Sequence, residues 1–251
     1  MKILIANDDG ILFPGVLVLA EAFLELGDVY VVAPDSERSA ASNSITLAQP
    51  LMVREVKLPI PVTKAYAISG TPADCIKLAM GGLIPEKFDL ILSGINKGPN
   101  CCVDIFYSGT VGAAYEGTFA NVLSMAVSLN SSSADSDYKP AAEWTLKCVK
   151  KLLESNADKS VLYNLNVPNI PAKDIKGLKI TKMGCIDYQG GYEKRLNPYG
   201  KPYYWVNGRP VVIDKDPSCD NNAIADGYVS LTPLRINLTD YETAEKLKSL
   251  F

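Results

Sequence analysis

Two adjacent carboxylates, Asp8 and Asp9, follow an apolar run near the start of the chain, MKILIANDDGI. Side by side they repel each other, and each prefers water to apolar surroundings. Two arrangements reconcile them with a buried strand. Either both ligate a cation, or Asp9-Gly10 makes a turn with Asp8 as its hydrogen-bonding partner. The dipeptide alone favours the turn. A hydroxyl from Ser39 and an amide carbonyl from Asn96 extend the pair to an all-oxygen donor set, which suits Mg²⁺, Mn²⁺ or Ca²⁺ and not zinc. A second feature is the run Tyr107-Ser108-Gly109-Thr110. Ser108 is placed to cap a helix and Gly109 leaves its first turn bare, so the N–H groups and the dipole favour an anion. Taken alone, this run is better explained by simple capping. Together, a cation site and an anion site at one edge make a place for a metal-bound phosphate.

The elements that must position these residues read as α/β. Residues 2–6, 29–33 and 89–93 are short apolar strands of the kind covered on both faces of a parallel sheet. Residues 14–26 have helical periodicity, with Pro14 in the first turn and Gly27 as the stop. Extended segments are expected near 51–56 and 65–68, helices over 72–80, 109–120 and 141–154, and strands over 124–129 and 161–167. In an open parallel sheet, ligands bind outside the carboxyl ends of the strands. That rule brings Asp8 and Asp9, the loop 38–44 and the loop 94–103 to one edge. From 185 to 222 the composition turns to Tyr, Gly, Pro and Asn, and a projecting β-hairpin arm is expected there. A late strand follows at 228–231. Thr239, with Glu242 three residues on, reads as the capping box of a short terminal helix. The expected organisation is a single domain over 1–251, with a core at 1–184, the arm at 185–222 and the terminal strand and helix at 223–251.

Composition narrows the chemistry. The chain has 251 residues, 47% of them hydrophobic and 21% charged, with a formal net charge of −3. No basic footprint for a nucleic-acid duplex or an anionic membrane is present. No apolar run approaches a membrane span and no leader pattern is seen, so the expected compartment is the cytoplasm, with the six cysteines reduced. Histidine is absent, which removes histidine nucleophiles, bases and metal ligands together. There is no GxxxxGK[ST], and no GxGxxG after the first strand. The cysteine-phosphatase spacing is missing, and Asp8 and Asp9 lack the one-residue separation of aspartyl phosphatases.

Taken in order, NDDG at 7–10, APDSERSAASNSIT at 33–46, SGTPADC at 69–75, SGINKGPN at 93–100, YSGTVGAAYEG at 107–117 and GYVSLTPL at 227–234 together resemble the SurE survival-protein family of metal-dependent nucleotidases. The resemblance implies a Rossmann-like three-layer α/β/α core with a mainly parallel sheet. It also implies hydrolysis of nucleoside monophosphates, with 3′-nucleotides and short polyphosphate as further substrates. By motif position, the metal ligands fall on Asp8, Asp9, Ser39 and Asn96, with one divalent ion, Mg²⁺ or Mn²⁺, per subunit. The phosphate-side residues fall on Asn100, Ser108, Gly109 and Thr110, with Ser39 beside them. Homodimers or homotetramers built through the arm and the terminal helix are implied as well. Two family glycines are replaced here, by Ala40 and by Cys102. Ala40 constrains the Ser39 loop if its position needs a positive φ, and Cys102 bears on the pocket floor.

The expected chemistry is attack of an activated water on phosphorus, with Asp8, Asp9 and Asn96 as the catalytic set. Because there is no histidine, one carboxylate must handle the proton, and Asp9 is the preferred choice. A covalent phosphoserine at Ser39 stays open. Two rivals are a metal-dependent nucleotide-binding protein without turnover and a glycosyltransferase-like protein. The second needs another α/β domain, for which 251 residues leave little room.

Overall fold

The computed structural model describes residues 1–251. Its strands are β1 (Lys2–Ala6), β2 (Asp28–Pro34), β3 (Val53–Glu55), β4 (Lys64–Ile68), β5 (Leu90–Lys97), β6 (Leu123–Asn130), β7 (Val161–Pro168), β8 (Leu178–Ile180), β9 (Ile186–Gln189), β10 (Tyr192–Leu196), β11 (Pro202–Val206), β12 (Arg209–Val212) and β13 (Val229–Arg235). Its helices are α1 (Pro14–Phe23), α2 (Pro72–Leu78), α3 (Gly109–Phe119), α4 (Lys139–Glu154), α5 (Asp220–Ala225) and α6 (Tyr241–Lys248).

Nine strands form one sheet in the order β3-β4-β2-β1-β5-β6-β7-β13-β8. The run from β4 to β7 is parallel, while β3 and β13 enter antiparallel to β4 and β7. Helices α1 and α4 cover one face. Val16, Leu19 and Phe23 of α1 and Val149 of α4 join Ile3, Ile5 and Leu92 in a cluster of 29 buried residues. On the other face, Ile76 of α2 and Ala113 of α3 pack on Leu4, Val32 and Ile91. Burial on both faces is why these strands are unbroken runs of aliphatic residues. The architecture is the expected three-layer α/β/α with a mainly parallel sheet. No helix is long and apolar enough to cross a membrane.

Chain order reverses at β1. The chain steps from β1 through β2 to β4 on one side, then returns to β5 on the other and continues to β6 and β7. The crevice beyond the carboxyl ends of β1 and β5 is therefore the switch point where such sheets bind ligands.

Several boundaries differ from the sequence expectation. β5 does not end at Ser93 but continues to Lys97, with a register shift against β6 between Ser93 and Asn96. Asn96 thus sits on a bulged strand end, not in a loop. The arm is a stacked pair of antiparallel ladders, β9 with β12 at its base and β10 with β11 at its tip. Regular pairing in it ends at Val212, and Asp220 already begins α5. The cap of α6 is Asp240, whose side chain accepts the Thr243 N–H; Thr239 lies outside the helix. At Thr71 a capping box does form, reciprocated by Asp74.

Candidate active site

The turn after β1 and the pair of carboxylates turn out to coexist. Asn7 Nδ2 donates to Gly10 O at 2.9 Å, and Gly10 adopts φ +106. This closes the turn that sequence reasoning weighed against a ligand role. It leaves Asp8 almost fully buried and Asp9 half-buried at the head of β1. Asp8 Oδ1 accepts the Thr110 hydroxyl at 2.5 Å and Asp8 Oδ2 accepts the Thr110 N–H at 3.2 Å. Asp9 Oδ2 accepts the Lys97 N–H at 3.2 Å from the end of β5.

Burial dominates the electrostatics of both groups. Desolvation raises the Asp8 carboxyl above its ordinary range, against the pull of the Thr110 hydrogen bonds. Desolvation and then the neighbouring Asp8 push Asp9 up to about 7, and Lys97 opposes them. Neither carboxylate forms an ion pair; the Lys97 ammonium lies 3.9 Å from Glu37 instead. A buried and a half-buried carboxylate, mutually repelling and with no cationic side chain on either, are the donors a hard divalent cation satisfies.

The other expected residues surround a cavity of about 220 Å³ lined by Asp8, Ser39, Asn96, Asn100, Ser108 and neighbours. Asn96 Nδ2 donates to Gly98 O at 2.8 Å, which leaves its carbonyl oxygen as the available group. Ser39 Oγ donates to Glu37 at 2.6 Å and keeps its lone pairs. The Ser39 loop is fixed at two points. Arg38 N donates to Asp8 O at 2.7 Å, and Ser42 donates from its N–H to Tyr107 O and from its hydroxyl to Phe106 O. Ala40 has φ +56 and Cys102 has φ +53, so both positions where the family carries glycine are left-handed. No group of three or more acidic or sulfur side chains is arranged to hold a metal ion. A cation here takes two carboxylates and completes its shell with neutral oxygens, and Asp8, Asp9, Ser39 and Asn96 fit that requirement.

Ser108 caps α3, its Oγ accepting the Val111 N–H at 3.1 Å. Gly109 has a packing reason as well. A Cβ there would lie 3.1 Å from Asp8 Cβ and 3.0 Å from Pro72 Cγ. Thr110 is not turned to the cavity: both its donors are spent on Asp8. Asp9 likewise borders a neighbouring cleft of about 420 Å³, with Leu12, Arg54 and Lys57 on its walls.

Several contributors escaped sequence reasoning. Lys97 is the one lysine or arginine lining the cavity. Asn164 and Asn166, both fully buried on β7, donate to Asn100 O at 2.8 and 3.1 Å, and Asn166 Oδ1 accepts the Asn100 N–H. Two asparagines facing one way in an apolar strand, NLN at 164–166, are a signal that could have marked them. Asp220, buried at the start of α5, accepts from Cys102 N at 3.0 Å and Gly184 N at 2.9 Å and so holds the loop floor. Cys102 is fully buried and is not among the residues that line the cavity.

Fold and site together define a Rossmann-like α/β protein with a paired-carboxylate site at its switch point. Comparison with known proteins agrees with this. The family model described as survival protein SurE matches residues 3–190. A 5′-nucleotidase SurE from Desulfitobacterium hafniense is 46% identical over 249 residues, 99% of this chain and 96% of that one. Another from Syntrophomonas wolfei is 40% identical over 251 residues, covering 100% and 95%. The crystal structure of SurE from Aquifex aeolicus superposes with a TM-score of 0.87 at 38% identity, covering 100% of this chain and 99% of that one. The chain belongs to the SurE family.

Proposed function

We propose that the chain is a 5′-nucleotidase, a phosphomonoesterase that releases nucleoside and phosphate from nucleoside 5′-monophosphates. The relatives over its full length carry that name. The observation that carries the reading is the convergence of Asp8, Asn96, Ser39 and the Ser108 cap of α3 on one cavity at the switch point. 3′-Nucleotides and short polyphosphate are further substrates to assay.

Asp8, Asp9, Ser39 and Asn96 would hold one divalent ion, Mg²⁺ or Mn²⁺. When bound, such an ion neutralises the carboxylates, polarises the phosphate and lowers the pKa of a water. Asp9 takes the proton of the attacking water; its Oδ2 is occupied by Lys97 N–H and its Oδ1 is not. The Ser108 hydroxyl, whose oxygen already accepts from Val111, keeps its proton to donate to a phosphoryl oxygen. The Gly109 N–H at the head of α3 and the Lys97 ammonium add positive potential there. Asn100, clamped by β7, sets the opposite wall. Thr110 orients Asp8 and acts through it. The chain is further read as a single domain, cytoplasmic, with all six cysteines free, assembling as a homodimer or homotetramer.

Asp8→Asn tests the scheme. It keeps the size of the side chain and removes one charge of the pair. Phosphate release from a nucleoside monophosphate with Mn²⁺ or Mg²⁺ should fall by at least about a thousandfold, with the circular dichroism unchanged. Full activity of this variant in chelated buffer removes the metal-dependent scheme. Saturable nucleotide binding by the parent protein without phosphate release favours the binding-protein alternative.

A further inference from the structure

The loop that carries Ser39 holds a backbone its side chains do not favour. Ala40 and Ser42 take φ +56 and +55, a left-handed conformation that β-carbons disfavour. Such residues persist only where surrounding contacts over-determine them. Many of those contacts come from α3. Gly112 lets the loop lie directly on this helix: a Cβ there would meet the Ser42 carbonyl oxygen at 2.5 Å and the Asn43 Cα at 2.8 Å. With its amide nitrogen toward α3, half-buried Asn43 donates to the Gly112 carbonyl at 3.2 Å and to Glu116 Oε1 at 3.1 Å. The reverse orientation would set its oxygen against those same two acceptors.

Glu116 is a buried charge that the hydrolytic step does not use. It is only 6% exposed, and a carboxylate is almost never so buried without a partner. Its Oε2 accepts from the Lys77 ammonium of α2 at 3.1 Å, and Lys77 is half-exposed. One carboxylate thus joins α2, α3 and the Ser39 loop. A hydrogen bond to an ionised acceptor is roughly twice as strong as a neutral one. The same helix α3 carries Thr110, which holds Asp8, and begins at the Ser108 cap. The Ser39 hydroxyl donates within its own loop, to Glu37. Its place opposite Asp8, in the cavity both line, is therefore set by how the loop is seated on α3. We propose that Glu116 is a positioning residue: through Asn43 it holds the Ser39 loop on α3 and so keeps the Ser39 oxygen in register with Asp8 for the divalent ion. This rests on the metal-dependent reading of the site and names what holds one of its ligands.

The test measures Mn²⁺ affinity of the full chain, free of nucleotide, by electron paramagnetic resonance. Phosphate release from adenosine 5′-monophosphate with Mn²⁺ is followed beside it. Glu116→Ala and Asn43→Ala should each weaken Mn²⁺ binding about fivefold to tenfold and lower kcat/KM by a similar factor. Glu116→Gln keeps an acceptor for Asn43 and releases only the half-exposed Lys77 to water, so it should stay within about twofold of the parent. The decisive comparison is in a Ser39→Ala background. There Glu116→Ala should cost less than about twofold further, because the group it positions is gone. A full-sized further loss in that background overturns the proposal, since Glu116 would then act on the fold at large. Glu116→Gln as damaging as Glu116→Ala, unchanged Mn²⁺ affinity in Glu116→Ala and Asn43→Ala, or unchanged affinity in Ser39→Ala itself also overturns it. Should Glu116→Ala fail to fold, the half-buried Asn43 position decides, by the same comparison with and without Ser39. A parent protein that shows this Ser39-dependent pattern in Mn²⁺ binding but releases no phosphate sinks the nucleotidase reading and leaves the positioning role standing. Phosphate release by the parent with Mn²⁺ affinity and kcat/KM unmoved in the variants does the reverse.

Discussion

Thr110 shows how much of a site can rest on one side chain. It gives its hydroxyl to one oxygen of Asp8 and its N–H to the other, so the carboxylate cannot rotate without breaking both. Hydrogen bonds to charged groups are worth about 1.5–3 kcal/mol. Thr110→Val keeps the shape and loses the hydroxyl, and kcat/KM for phosphate release should drop about tenfold or more. Far-UV circular dichroism should show the helix intact. Asp220 plays the equivalent part for the loop that carries Cys102. It is fully buried and accepts from Cys102, Gly184 and Asn221 backbone N–H groups. Asp220→Ala strands those donors, and urea unfolding should show a loss of about 3 kcal/mol or more. Cys102, in a left-handed conformation that β-carbons disfavour, depends on this clasp more than a glycine would.

At the level of elements, α2 ties the Ser39 loop to the sheet. Asp74 completes the cap of α2 and accepts from Thr46 as well as Thr71. Burial by itself would raise the Asp74 carboxyl, but these hydrogen bonds outweigh it and the net shift is downward from 3.8. A carboxyl lower in the folded than in the unfolded chain stabilises above the unfolded value, and that stabilisation is lost as pH falls through the folded one. The urea midpoint of the parent protein should therefore decline below about pH 4, and Asp74→Asn should flatten that part of the profile. Elements such as β1, β2 and α2 were legible because unbroken aliphatic runs and the Thr71-Pro72 start are local signals. The far half of β5 was not, since Gly94 interrupts its apolar run. β8 is three residues with partly exposed side chains, too short to show a period. Thr239 and Asp240 are both capping types, and only the backbone decides that Asp240 takes the Thr243 N–H. Within the site, the carboxylates and the Ser108 cap stood out by type and spacing. Asn164, Asn166 and Asp220 did not, because each reaches its partner across more than sixty residues of chain.

For the whole molecule, the arm is the feature a lone chain leaves unexplained. At its tip, Tyr192, Leu196, Tyr199, Tyr204, Trp205 and Val206 are all exposed, and α6 adds an end with no buried residue. Isolated two-stranded ladders are marginal in water, and such a run of exposed apolar side chains marks an interaction surface. Replacing residues 192–206 with a short turn leaves Asp220 in place. Sedimentation velocity should then report a smaller particle than the parent assembly; an unchanged mass would remove the arm from the interface. The wiring of the cavity has a consequence for how the protein is made. Thr110 reaches back 102 residues to Asp8, and Asp220 reaches back 118 to Cys102. Closing such long loops is entropically slow and is repaid only when distant partners meet. A nascent chain still on the ribosome carries Asp8 and Ser39 early, but no competent pocket until residue 220 has emerged and folded, so synthesis cut short yields no hydrolytic fragment.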